Sequence, residues 1–202
     1  MSIIIVVKKQ GRAVIAADTL TKSGSIKVGA SYNVGSDKIV RAGDTYIGLV
    51  GSSAHGNAFE SVIKKHGRSM SFDGVSDIYE TYLKLHPILK EEFFLNPREG
   101  DSDPYESSQI DALVANRHGI FGMFSWREVF EYERFWAIGS GREIALGALH
   151  AVYDRLETAE EIAEAALTAS CEFDDGSGLP FTSYSISLGG HKKAQGRRPT
   201  RK

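Results

Sequence analysis

Residues 2–24 read SIIIVVKKQGRAVIAADTLTKSG, and the fold turns on how that stretch is read. Ile3 to Val7 is an unbroken run of β-branched residues, which favour the pleated backbone and here read as the first, central strand of a buried sheet. Gln10-Gly11 supplies a tight turn and Arg12 to Ala17 repeats the pattern, so Ile3–Lys8 and Arg12–Ala17 form a predicted hairpin. The chain goes from Met-Ser straight into this core strand, with no polar leader between them.

Outward from the hairpin, the chain alternates blocks of strand and helix. Ile26, Ser36–Val40 and Thr45–Val50 are predicted as further short strands, and together with the hairpin they are expected to make one antiparallel sheet. Apolar residues at helical spacing then predict helices over His55–His66 and Ser76–Leu89, with Pro87 near the end of the second. Polar, proline-containing Asn96–Ser108 reads as a loop, and Gln109–Ala115, Gly119–Ser125, Val129–Tyr132 and Phe135–Ile138 as a second sheet. Helices over Arg142–Arg155 and Thr158–Cys171, the latter opened by the capping box Thr158-x-x-Glu161, and a last strand Thr182–Leu188 complete the order. The order implies α+β architecture, a four-layer αββα sandwich of two antiparallel sheets covered by helices, in one domain spanning residues 1–190.

Composition narrows the function classes. The 202 residues are 42% hydrophobic and 25% charged, an ordinary globular balance. Cys171 is the only cysteine, so no disulfide framework exists, and a cytoplasmic setting is expected. The Ile3–Val7 run is too short to span a bilayer and lacks a basic segment before it, so neither a membrane helix nor a secretory signal is predicted. The formal charge is −2, yet residues 191–202, HKKAQGRRPTRK, carry six Lys/Arg and no acid, leaving an acidic body. That basic tail reads as a solvated, disordered end, with contact to nucleic acid as the alternative. The six histidines, His55, His66, His86, His118, His150 and His191, show no metal-ligand spacing, and no metal or cofactor is expected. Gly139-Ser140-Gly141-Arg142 is too short for a phosphate loop, and the aromatic run Phe130–Trp136 reads as strand packing.

Ser2 offers chemistry of its own. Methionine before serine is a context in which the initiator residue is normally removed, which would leave a free amine beside the Ser2 hydroxyl. A hydroxyl is a weak nucleophile until a base takes its proton, and an α-amino group, with an ordinary pKa of about 7.7–8.0, can be that base near neutral pH.

The stretch SIIIVVKKQGRAVIAADTLTKSG, the later SDKIVRAGDTYIGLVGSSAHG, and the distal FWAIGSGREIALGAL with TAEEIAEAALTAS resemble the amino-terminal-nucleophile hydrolases of the proteasome β-subunit superfamily, most of all the bacterial HslV type and bacterial proteasome homologues. The resemblance runs from about Ser2 to Leu188 in family order. It implies a self-compartmentalising peptidase acting on peptides or unfolded chains, assembled as a homo-oligomeric stacked ring of six or seven subunits per ring. A separate ATP-dependent unfoldase as partner is left open.

Carried over by position, Ser2 takes the place of the family's catalytic threonine, a departure that removes the methyl group fixing the rotamer. Asp18 resembles the buried aspartate that accepts a hydrogen bond from the active-site lysine, with a strand-end turn as the alternative. Lys38 resembles that lysine, and Lys27 competes for the role. Gly51 resembles the glycine whose N–H meets the oxyanion, or else a turn glycine ending a strand. Ser140 resembles the serine that bonds the terminal amine, or else caps the following helix. Glu172 aligns with the acidic partner of Ser140, with Asp174 and Asp175 close enough to replace it. Thr21, Leu49 and Ser53 align with the pocket for the side chain before the scissile bond, implying a modest apolar preference. Two other functions stay open: a structural ring subunit with weak catalysis, and an amidase for small substrates.

Overall fold

The Ile3–Val7 run is fully buried, as a central strand must be. The computed structural model describes residues 2–98, 100 and 103–189. In it β1 (Ile3–Lys9) and β2 (Arg12–Asp18) form the expected hairpin, followed by a short ribbon of β3 (Thr21–Ser23) and β4 (Ile26–Val28). Next come β5 (Ile39–Ala42), β6 (Thr45–Val50) and the helices α1 (Ser53–His66) and α2 (Val75–Glu92). Four strands follow, β7 (Asp111–Asn116), β8 (Gly119–Met123), β9 (Val129–Tyr132) and β10 (Phe135–Gly139). The helices α3 (Arg142–Val152) and α4 (Ala159–Phe173) and the strand β11 (Phe181–Ser187) end the described chain. The proposed basic tail lies outside the described residues.

The strands sort into sheets differently from their order along the chain. One sheet runs β10-β1-β2-β11 and the other β5-β6-β7-β8-β9, all neighbours antiparallel. The expected grouping of β1, β2, β5 and β6 in one sheet is therefore corrected. A strand as apolar as β1 needs a partner on each edge as well as cover on each face, and β10 supplies the second edge, with Ile5 opposite Ala137.

Four layers result. Ile3, Ile5 and Val7 of β1 face α3 and α4, where they pack with Leu149, Ile162 and Leu167. Ile4 and Val6, pointing the other way, meet Leu113 and Ile120 of the second sheet, with Ile15 of β2. The outer face of that second sheet packs Ile47 and Phe121 against Phe59, Val62, Tyr82 and Leu85 of α1 and α2. This is the αββα sandwich of two antiparallel sheets. Pro87 sits inside α2 without ending it, on the exposed side of the helix that it shares with Leu83, whose carbonyl loses its helical partner. Thr158 caps α4 through the full capping box with Glu161. Among the described residues no helix is long and apolar enough to cross a membrane.

Candidate active site

The site lies at the end of the first sheet where β1 begins. Ser2 precedes β1, is almost completely buried, and has its carbonyl held by the Ser140 N–H at 2.9 Å. Ser140 follows β10, so the β1–β10 pairing itself delivers the two serines to each other. Gly139 makes this approach feasible: its φ is +108°, and a Cβ there would stand 2.0 Å from the Ser2 carbonyl oxygen. No side chain fits that position.

Asp18 closes β2 one strand away and is wholly buried. Its carboxylate accepts four donors: Ile3 N–H at 3.0 Å and Lys38 Nζ at 2.6 Å on Oδ1, and Leu20 N–H and Gly178 N–H at 3.1 Å each on Oδ2. A carboxylate without water needs such a complete set of donors to remain charged. Lys38, from the segment leading into β5, is pinned from the other side because its carbonyl accepts Leu49 N–H at 3.2 Å. Burial pulls the Lys38 ammonium below the ordinary lysine range, and the charge and hydrogen bond of Asp18 offset that only in part. Lys27, the competitor, lies on the β3–β4 ribbon opposite Lys22, and makes no hydrogen bond or ion pair with Asp18, whose lysine partner is Lys38.

Ser140 has its own carboxylate. Its hydroxyl donates to Asp174 Oδ2 at 2.7 Å, and Ser177 Oγ donates to the same oxygen at 2.5 Å. Burial pushes the Asp174 carboxyl up, but the hydrogen bonds from Ser177, Ser140 and the backbone at Gly176 outweigh it, so the net direction is down. The expected Glu172 contact is thus replaced by one from Asp174. Glu172 lies on the last turn of α4, exposed to solvent, whereas Asp174 has left the helix with extended backbone that turns its side chain inward. The helix-cap alternative for Ser140 also fails, since Gly141 occupies the N-cap of α3 without any side-chain cap. Two participants went unnoticed in the sequence: Ser177, and Gly178 through its N–H. Both sit in Asp174-Asp175-Gly176-Ser177-Gly178, whose density of small residues was the available signal.

A cleft of about 660 Å³ opens beside these groups, lined by Ser2, Thr21, Lys38, Leu49, Gly51 and Ser53 among others. Six of the nine expected positions therefore share one cavity, Asp18 lies beneath it bonded to Lys38, Ser140 is bonded to Ser2, and Glu172 alone is apart. Gly51 follows β6 with φ +111°, which glycine adopts without strain. Next to it Ser52 caps α1 by accepting the Ala54 N–H at 3.2 Å. Cys171 on α4 lies within electrostatic range of Asp18, Lys38 and Asp174; burial first, and Asp18 second, push its thiol up to about 11, so it stays protonated and inert. Among the described residues no cluster of His, Cys, Asp and Glu is arranged to hold a metal ion. Chemically, the cleft unites a hydroxyl, a buried cation and a glycine backbone N–H position.

No family model and no curated protein matches the chain. Solved structures do. The bacterial proteasome homologue BPH of Thiobacillus denitrificans is 38% identical over 94% of this chain and 100% of its own, with a TM-score of 0.84. The same protein in complex with epoxomicin is 38% identical over 93% of this chain and 100% of its own, with a TM-score of 0.83. Eukaryotic HslV from Trypanosoma brucei, 21% identical over 92% of this chain and 99% of its own at a TM-score of 0.67, shares the fold. With the αββα sandwich and near-complete coverage at 38% identity, the chain belongs to the amino-terminal-nucleophile hydrolases of the proteasome and HslV superfamily.

Proposed function

We propose that the chain is a peptidase subunit whose nucleophile is Ser2 after removal of Met1, and that residues 1–190 form its one catalytic domain. The observation that carries the reading is the convergence on one cleft of Ser2, held through its carbonyl by Ser140, and the Lys38–Asp18 ion pair. In the reaction the Ser2 hydroxyl oxygen attacks the scissile carbonyl, forming a C–O bond, while its proton passes to the Ser2 amine. The Gly51 N–H donates to the oxyanion that develops. Collapse breaks the C–N bond, the leaving amine takes the proton back from the Ser2 ammonium, and a seryl ester remains. Water then attacks the ester with the amine again as base, releasing the carboxylic acid and restoring Ser2. The positive charge of Lys38 favours the neutral amine by like-charge repulsion and stabilises negative charge at Oγ. Ser140 and Asp174 keep Ser2 in place.

The family points to substrates that are peptides or unfolded chains, to a homo-oligomeric stacked ring that encloses the sites, and to a separate unfoldase as a partner to look for. Intact mass tests the first step, since a chain that begins at Ser2 is required. Labelling with a peptide electrophile tests the second, and epoxomicin, bound in the Thiobacillus complex, is the first compound to use. A protein that retains Met1 throughout yet hydrolyses peptides would remove the amino-terminal mechanism.

A further inference from the structure

The wall of the cleft supplied by α1 is polar. Ser53, Gly56, Asn57 and Glu60 all line the cleft, and their spacing of three, four and seven residues puts them on one helical face. The opposite face carries Phe59 and Val62 into the core, so the orientation of this polar stripe is fixed by packing. Its members are small except for the last, which is a carboxylate.

Charge pairing singles that carboxylate out. Of the other charged residues lining the cleft, Lys38 is paired with Asp18 at 2.6 Å and Lys22 with Asp175 at 2.8 Å. Arg41 donates to the Gly43 carbonyl at 2.8 Å and lies 3.9 Å from Asp44. Asp37 accepts from Thr182, Tyr184 and the Ile39 N–H. Among the described charged residues lining the cleft, Glu60 alone has a side chain with neither an ion pair nor a hydrogen bond. On the neighbouring strands, Val40 and Leu49 provide apolar surface in the same cavity. Seven residues of helix separate Ser53 from Glu60, about 10 Å along the axis, so only a long side chain seated near Ser53 reaches the carboxylate.

We propose that Glu60 selects substrates with arginine or lysine before the scissile bond, the aliphatic stem lying on Leu49 and Val40 and the cation meeting Glu60. This deepens, and rests on, the peptidase reading, and it replaces the modest apolar preference implied by Thr21, Leu49 and Ser53 alone. Long cationic side chains combine an apolar stem with a charged head, and this wall offers a surface for each.

The test uses the assembled protein and matched peptides that differ only in Arg, Lys, Leu or Glu before the cleaved bond. The Arg-to-Leu ratio of kcat/KM should exceed one, fall about fivefold in Glu60→Gln, as expected for a partly exposed ion pair, and invert toward Glu in Glu60→Lys. Binding of the same Arg and Leu peptides to Ser2→Ala, and to Ser2→Ala with Glu60→Gln, gives a readout free of turnover. Arg-selective, Glu60-dependent binding without hydrolysis in the parent would uphold this proposal while removing the peptidase reading. Hydrolysis with an Arg-to-Leu ratio that Glu60→Gln leaves unmoved would overturn this proposal and keep the peptidase.

Discussion

Lys38 is asked to carry a positive charge where water is scarce, and Asp18 is what permits it. The pair is buried enough that removing one partner ordinarily costs about 3–5 kcal/mol. Asp18 retains three backbone N–H donors, from Ile3, Leu20 and Gly178, when the lysine is gone, so Lys38→Ala should cost less, about 1–3 kcal/mol by denaturant unfolding. Turnover should nevertheless be lost, whereas Lys27→Ala should leave it within about twofold, because Lys27 lies on the exposed β3–β4 ribbon. Equal losses in the two variants would assign the cation wrongly. A pH profile tests the charge directly. The folded pKa of Lys38 is lowered, so on raising pH the folded protein gives up this proton before an ordinary lysine does. Activity that needs the ammonium should therefore fall on its alkaline limb below about pH 10.4, the ordinary lysine value. Asp18→Asn removes the main influence that raises the Lys38 pKa, so that limb should move to still lower pH; an unmoved limb would mean that another group titrates.

At the level of elements, the site depends on where strands stop. The β1–β10 register puts Ile3 opposite Gly139, and the residue just before β1 and the residue just after β10 are the two serines of the site. Gly139→Ala should expel Ser2 from its place, since the new Cβ meets backbone and not a movable side chain. A cost of about 2–4 kcal/mol is expected from the clash and the positive φ together, with activity lost even under conditions where the variant stays folded. Denaturant unfolding and electrophile labelling, measured side by side, check both halves. The elements themselves were largely legible, because the apolar periods that define β1, β2, α1, α2 and α4 are local. Their ends were less so, and one end mattered: whether α4 stops before or after residue 173 decides if Glu172 or Asp174 faces Ser140, and sequence spacing does not resolve a helix end to one residue. Asp18 and Lys38 could be placed because each stands at the border of a strongly patterned strand. Ser177 and Gly178 could not, lying in a turn without periodicity.

Across the whole molecule, the layers were legible and the sheet membership was not. Periodicity shows that β1 is buried on both sides but carries no label for the strand on its far edge, and β10 and β11 lie more than a hundred residues away along the chain. Ser2 thus inherits its position from backbone pairings made late in the sequence, and those pairings do not use its hydroxyl. That separation makes nucleophile and architecture independently testable. Ser2→Ala removes only the hydroxyl, leaving the Ser2 carbonyl to accept from Ser140 as before and β1 to keep its neighbours. Its unfolding free energy should stay within about 1.5 kcal/mol of the parent and its mass in solution, by light scattering, at the same multiple of 22.1 kDa. Peptide hydrolysis and electrophile labelling should both disappear. Ser2→Thr restores the hydroxyl with a β-methyl that narrows its rotamers, so it should equal or exceed the parent in labelling rate if the cleft has room for the methyl. A slower Ser2→Thr would show a cleft shaped around serine. Activity surviving in Ser2→Ala, after contaminating proteases are excluded, would place the chemistry elsewhere, and a parent that sediments as a monomer would detach the peptidase from any enclosing ring.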